Sequence, residues 1–515
     1  MPLAARVRRR FRRLAALLAI LVTLAACAPS ASPNRPSTGI PSPTTGAAAS
    51  AARSEAPTIV IPPARWADCG KGFQCAQIVV PLDYATGLGA INLSLVRLPA
   101  TDQASRIGAL LVNPGGPGAS GVEFVRDNLE IFPKNLRRHF DLIGFDPRGV
   151  NESSGIRCID NLDPRAELDP SPDTPAEVTA LVKDAKDYAA ACSRRNGGVL
   201  PFLSTDAVVR DLDSIRVSIG EEKINYLGFS YGTLIGALYA DRYPDRVRAV
   251  ALDGVLDPTL DLAGLRIGQA RAFQTELNRF LSACAHRRNC LLGRGAAVRR
   301  GFDAVMHQIE RHPLPSLRTR DPRKVGPGLA WSAIVGAMYS KDFWPTLEFA
   351  LALAEHGDGS IFLAIADPFR GRKKNGSYSN MQDAYTANTC LDFAAPKQTS
   401  DFAALAKRLR PSAPDFASIF AYNDLPCAYW SAPPVRQPGP VSATGAPPIV
   451  LVGTTGDPAT PYAWAKSVAQ QIKGSVLLTH RGDGHTGYLS SGCVRDALIK
   501  YLVTLKTPAK GTVCD

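Results

Sequence analysis

The chain has 515 residues, 59 Lys+Arg against 46 Asp+Glu, and a formal net charge of +13. A hydrophobic share of 45% with 20% charged residues supplies ample core material, which excludes a wholly disordered chain. One hydrophobic core stops growing near ~250–300 residues, so a large insertion or a second domain is expected.

The basic excess is partly local. Residues 1–26 hold six arginines (Arg6, Arg8, Arg9, Arg10, Arg12, Arg13) and no acid; without them 53 basic residues face 46 acidic ones. That remainder carries no motif of a nucleic-acid binder, and no such partner is expected. After the arginines, residues 14–26 form an apolar run too short for a membrane span, which needs roughly 20 residues. A basic start, a short apolar core and small residues at its end read as a signal peptide. Leu24-Ala25-Ala26-Cys27 resembles a bacterial lipobox, which predicts cleavage before Cys27 and its acylation. Arg8-Arg9-Arg10-Phe11 matches a twin-arginine signal in part, with Arg12 departing from it, so the export route stays open. Residues 27–65 are rich in Pro, Ser, Thr and Ala without apolar periodicity, and read as a lipid anchor followed by a flexible linker.

From Trp66 onward, strand and helix signals alternate. Residues 78–82 and 91–96 predict two paired opening strands. Short apolar runs follow at 108–112, 142–145, 224–228, 249–252, 448–452 and 475–479, of the kind found in parallel strands covered on both faces. Helical patterns between them, such as 233–243 ended by Pro244, predict a doubly wound, mostly parallel α/β sheet. Two stretches interrupt this order. Residues 150–208 form an excursion with a helix near 174–193. Residues 258–430 lack regular strand signals, carry helical patterns at 329–338 and 343–356, and read as a mainly helical cap inserted between core segments 66–257 and 431–515.

Cys27 aside, ten cysteines remain, an even number that favours disulfides in an exported protein. Their order suggests the neighbour pairs Cys69–Cys75, Cys158–Cys192, Cys284–Cys290, Cys390–Cys427 and Cys493–Cys514, a connectivity that order alone does not fix. A metal reading of Cys284 and Cys290 with His286 fits no common zinc spacing. No metal or cofactor is expected.

The chemistry concentrates at Gly228-Phe229-Ser230-Tyr231-Gly232, which follows an apolar strand and opens a helix. G-x-S-x-G in that context is a nucleophile elbow: the glycines permit a tight turn that exposes the Ser230 hydroxyl. A serine needs a base, and the base needs an orienting acid. His485, in the glycine-flanked loop 482–487 beyond the last strand, is the expected base; His480, at the strand end, reads as packing. Asp457, after strand 448–452, is the expected acid, with Thr460 expected to cap the helix 461–472. Asp483 lies too close to His485 in sequence to serve as the acid. The tetrahedral oxyanion calls for two N–H donors, expected from Tyr231 and from Gly116 in the loop Asn113-Pro114-Gly115-Gly116-Pro117-Gly118.

Together these motifs resemble the secreted tripeptidyl aminopeptidases among the proline-iminopeptidase-like α/β-hydrolases, a group close to mycobacterial cell-envelope serine proteases and carboxylesterases. The resemblance runs over residues 66–515 through NPGGPGASG (113–121), FDPRGV (145–150), LGFSYGT (227–233), CLDF (390–393), GTTGDPATPY (453–462) and GDGHTGY (482–488). It implies an α/β-hydrolase fold with Ser230, Asp457 and His485 as the triad and Gly116 with Tyr231 as the oxyanion hole. Arg148 reads as structural. The resemblance further implies release of short peptides, such as tripeptides, from free N-termini, with an acidic group holding the substrate ammonium; Asp392 and Glu123 are the candidates. A carboxylesterase or lipase with the same triad is the competing reading, kept open by the moderately apolar stretch 329–353. The expected setting is the outer face of a bacterial membrane, with the enzyme a lipid-anchored monomer acting on peptide or protein substrates.

Overall fold

The computed structural model describes residues 60–515. The expected signal peptide, Cys27 and most of the 27–65 linker lie outside the described residues.

Ten strands form one sheet: β1 (Ala67–Asp68), β2 (Gln74–Pro81), β3 (Ala90–Leu98), β4 (Gly108–Asn113), β5 (Phe140–Phe145), β6 (Ile224–Phe229), β7 (Val247–Asp253), β8 (Val450–Gly456), β9 (Val476–Asp483) and β10 (Val513–Cys514). Their order is β1-β2-β3-β5-β4-β6-β7-β8-β9-β10. The pairs from β1 through β3 to β5 are antiparallel and those from β5 onward are parallel. All eight strands expected from sequence are present; β1 and β10, two residues each, gave no periodic signal.

Alternation along the strands builds the two faces. Leu111, Ile143, Tyr226, Val250, Leu252 and Leu451 point to one core, shared with Leu212 and Ile215 of the helix Thr205–Ser218 and Leu234 and Ile235 of the helix Tyr231–Arg242. Leu110, Val112, Leu142, Leu227, Phe229, Val450 and Val452 face the other core, packed on Val125, Leu136 and Leu498 of three further helices. Both faces being covered explains why these strands read as unbroken apolar runs.

Every element between β7 and β8 is a helix, from Leu262–His286 to Leu425–Ala428. This insertion carries its own core, in which Phe273, Leu277, Phe280, Phe302, Ile334, Leu347, Phe362 and Phe416 are buried. The excursion after β5 contains the helix Pro175–Asn196, begun by a capping box in which Thr174 accepts from the Glu177 N–H and the Glu177 side chain returns the bond. Cysteines join in the five neighbour pairs. Arg148 is buried and structural: it forms a bidentate pair with Asp211 at 2.7 and 2.5 Å and donates to the carbonyls of Pro81, Leu82 and Phe202. Among the described residues no helix is long and apolar enough to cross a membrane.

β4 lies between β5 and β6, so the connections leaving β4 and β6 part to opposite sides of the sheet. Beyond the carboxyl ends of strands at such a switch point lies the crevice where open α/β sheets bind ligands. Asn113, last of β4, is in register with Gly228 of β6, which sets the glycine loop beside the serine turn.

Candidate active site

Ser230 stands between β6 and the helix Tyr231–Arg242 with φ 55° and ψ −126°, a conformation that L residues rarely adopt. Its N–H donates to the carbonyl of Asp253 at 2.9 Å, tying the turn to the end of β7. The glycine loop closes against it. A Cβ on Gly115, at φ 96°, would sit 2.5 Å from the Phe229 carbonyl oxygen, 2.9 Å from Ser230 Cβ and 3.0 Å from Tyr231 N. Only a residue without a side chain can pass there. Asn113 shapes the loop by accepting the Gly115 N–H at 2.9 Å. Gly116, next in line, is exposed, and Tyr231 N belongs to the first helical turn, where N–H groups have no acceptor within the helix.

His485 reaches the site from the loop after β9. Its Nδ1 lies 2.9 Å from both oxygens of Asp457, a carboxylate whose side chain is fully buried. The carboxylate must accept from Nδ1–H, which leaves the lone pair of the neutral ring on Nε2. That Nε2 is buried and, among the described residues, has no hydrogen-bond partner. Burial opposes a charge on the ring, but Asp457 beside it, with a smaller contribution from Asp253, holds the His485 pKa above its ordinary 6.5. Gly254 brings the pieces together: a Cβ there would stand 3.1 Å from His485 Cε1 and 3.0 Å from Thr460 Oγ1.

Asp457 also accepts from the N–H groups of Ala459 and Thr460 at 2.9 and 2.8 Å and from Thr486 N–H at 3.2 Å. Thr460 corrects the sequence reading. The following helix, Tyr462–Gln471, starts from Pro461 without a side-chain cap. The Thr460 hydroxyl instead donates to Asp457 at 3.0 Å, so the residue braces that carboxylate rather than the helix. Asp483 is engaged elsewhere, with Arg279 and Lys341, each at 2.9 Å. His480 is buried in β9 with Nδ1 3.2 Å from the Thr454 hydroxyl oxygen, and burial lowers its pKa.

Two contributors escaped the sequence. Asp253 is buried, and its carboxylate accepts from Gly487 N–H at 2.9 Å and Tyr488 N–H at 2.7 Å, while its carbonyl holds Ser230. One residue thus braces the serine turn and the loop that carries His485. Its place at a strand end was legible, but not what its carboxylate meets. The second is Tyr339 of the inserted helices, whose carbonyl accepts the His485 N–H at 2.8 Å and whose ring meets the imidazole edge-on at 5.2 Å. Nothing in the sequence pairs residues so far apart. The two candidates for a substrate ammonium differ sharply. Asp392 is wholly buried, with both oxygens engaged by Thr205; Glu123 is exposed in the first turn of the helix Gly121–Asp127.

A half-buried serine on a strained elbow, a histidine oriented through Nδ1 by a buried carboxylate, and a glycine loop against the following N–H define a serine hydrolase of the α/β type. The chain belongs to the TAP-like family of α/β hydrolases. Residues 413–514 match the family model of TAP-like proteins, and residues 108–296 that of the alpha/beta hydrolase fold. Serine protease Hip1 of Mycobacterium tuberculosis is 36% identical over 479 residues, covering 88% of this chain and 91% of that one. Tripeptidyl aminopeptidase of Streptomyces lividans is 34% identical over 493 residues, covering 91% and 89%. Carboxylesterase B of M. tuberculosis is 35% identical over 480 residues, covering 88% and 91%.

Proposed function

We propose that this protein is a serine peptidase that releases short peptides, tripeptides above all, from free N-termini through an acyl-enzyme on Ser230. The observation that carries the mechanism is the Asp457–His485 pair, which leaves an unpartnered, buried Nε2 to take a proton. The Ser230 hydroxyl gives its proton to that nitrogen while its oxygen attacks the scissile carbonyl. Tyr231 and Gly116 N–H groups receive the oxyanion, the protonated His485 hands its proton to the departing amine, and the C–N bond breaks. Water then attacks the ester with His485 again as base, freeing the short peptide and restoring Ser230. With Asp392 sealed into the fold, Glu123 is the remaining candidate for the substrate ammonium. Peptidase names among the relatives support this reading. The nearly equal likeness to a protein named carboxylesterase supports ester cleavage by the same groups as a second reading. The leader and Cys27 support export and a lipid anchor on the outer face of a bacterial membrane.

Purified protein and Ser230→Ala are to be compared on a tripeptidyl arylamide, its N-acetylated form and a short-chain aryl ester. Free-amine peptide turnover that the acetyl group abolishes and the alanine removes is expected. Equal turnover of both peptides overturns the aminopeptidase reading, and ester-only turnover selects the second. Full activity in the alanine variant overturns the mechanism.

A further inference from the structure

We infer that Asp392, on the inserted helix Met381–Asp392, is a positioning residue for the oxyanion hole, acting on Tyr231 through Thr205. The inference rests on the serine-hydrolase reading above and adds a part to it.

Three side chains form a directed relay. Asp392 ends its helix and is fully buried; one oxygen accepts the Thr205 N–H at 2.9 Å and the other accepts the Thr205 hydroxyl. Thr205 has a single hydroxyl proton, and the carboxylate claims it. The Tyr231 hydroxyl, 2.5 Å from Thr205 Oγ1, must therefore be the donor in that contact. The order Tyr231 O–H to Thr205 O–H to Asp392 carboxylate is thus fixed by the carboxylate, which cannot donate while ionised. Asn388, one turn earlier on the same helix, donates to the Leu203 carbonyl at 3.1 Å and holds the approach to Thr205.

The consequence falls on the backbone. Tyr231 directly follows the strained Ser230 and bears the N–H assigned to the oxyanion. A strained turn persists only where its surroundings over-determine it. Anchoring the far end of the Tyr231 ring fixes its Cα–Cβ direction, and with it the peptide between Ser230 and Tyr231. The anchor comes from the inserted segment, so the cap takes part in setting the geometry at the end of β6. Asp392 also has no free oxygen for a substrate ammonium.

The test compares Asp392→Asn, Thr205→Val, Thr205→Ser, the Asp392→Asn/Thr205→Val double variant and Ser230→Ala, with rates taken per serine titrated by a fluorophosphonate, and per mole of protein for Ser230→Ala. Asparagine would turn an N–H toward the Thr205 hydroxyl and break the polarity of the relay. Asp392→Asn and Thr205→Val are each expected to lower kcat about 10–100-fold, a misplacement of the oxyanion donor by a fraction of an ångström. KM should stay within twofold, affinity for a tetrahedral boronate inhibitor should fall in step with kcat, and the double variant should be no worse than the singles. Thr205→Ser, which keeps the hydroxyl, should restore the rate. Unchanged kcat per titrated serine in Asp392→Asn overturns the proposal. So does a rise in KM for the free-amine peptide alone, which would make Asp392 the ammonium acceptor. Retained activity in Ser230→Ala would instead overturn the serine-hydrolase reading itself.

Discussion

Glu276 offers a quantitative test of how the inserted helices meet the Asp457 loop. It lies on the helix Leu262–His286 with its side chain 1% exposed, and neither carboxylate oxygen has a hydrogen-bond partner among the described residues. The nearest cation, Arg279, is 3.6 Å away and shared with Asp483 at 2.9 Å. Burial, reinforced by the charges of Asp483 and Asp457 and only partly offset by Arg279 and Lys341, pushes the Glu276 pKa up from 4.5 to about 8. Between those values the folded protein holds a proton that the unfolded chain releases, so stability falls as pH rises from 4.5 towards 8. At pH 7 the cost is about 3 kcal/mol, from 1.36 kcal/mol per pH unit. Glu276→Gln keeps the shape and removes the proton, so the variant should match the wild type near pH 4.5 and exceed it by about 3 kcal/mol at pH 7. Urea unfolding followed by tryptophan fluorescence between pH 4.5 and 8.5 measures the gap. A gap that does not grow with pH, or a variant less stable than wild type at pH 7, would show that the fold does not hold Glu276 protonated.

The pH–rate profile should show an acid limb with its midpoint above 6.5, because turnover needs neutral His485 and its two carboxylate neighbours hold the pKa up. Asp253→Asn should move that midpoint down by removing one of those charges, and should lower kcat because the amide nitrogen that replaces one carboxylate oxygen is a donor set against the N–H donors of Gly487 and Tyr488; a midpoint unmoved in the variant would contradict the assignment. Replacing Cys158 and Cys192 by serine frees a loop with a sequence separation of 34 and should lower unfolding free energy by about 3–4 kcal/mol, read from denaturant midpoints. No loss would show that the excursion after β5 is held without its crosslink.

Much of the architecture was written locally. Strand runs such as 108–112 and 224–228 announced themselves because both faces of the parallel sheet are covered, so alternation disappears and continuous apolar runs remain. Ser230 was legible for a related reason: the elbow's steric demands fall on residues next to it in the chain. The boundaries of the helix near 174–193 shifted only slightly, since the Thr174–Glu177 box lies within four residues. Thr460 was misread because a helix-capping preference is local, while its actual partner is a carboxylate whose direction depends on the loop fold. The roles of Tyr339, Asp253 and the Thr205–Asp392 pair were beyond sequence, as they lie in contacts across the fold.

By itself, then, the sequence determined the alternation of strand and helix, the helical insertion and the three residue types of the site, each encoded in neighbouring residues. Packing across the fold set which groups brace them, the carbonyl of Tyr339 on His485, the two-handed Asp253 and the relay from Asp392 to Tyr231, and it buried Glu276 without a hydrogen bond among the described residues. Hydrogen bonds and desolvation act over a few ångströms in space, whatever the separation along the chain, and only the packed fold brings those groups within reach.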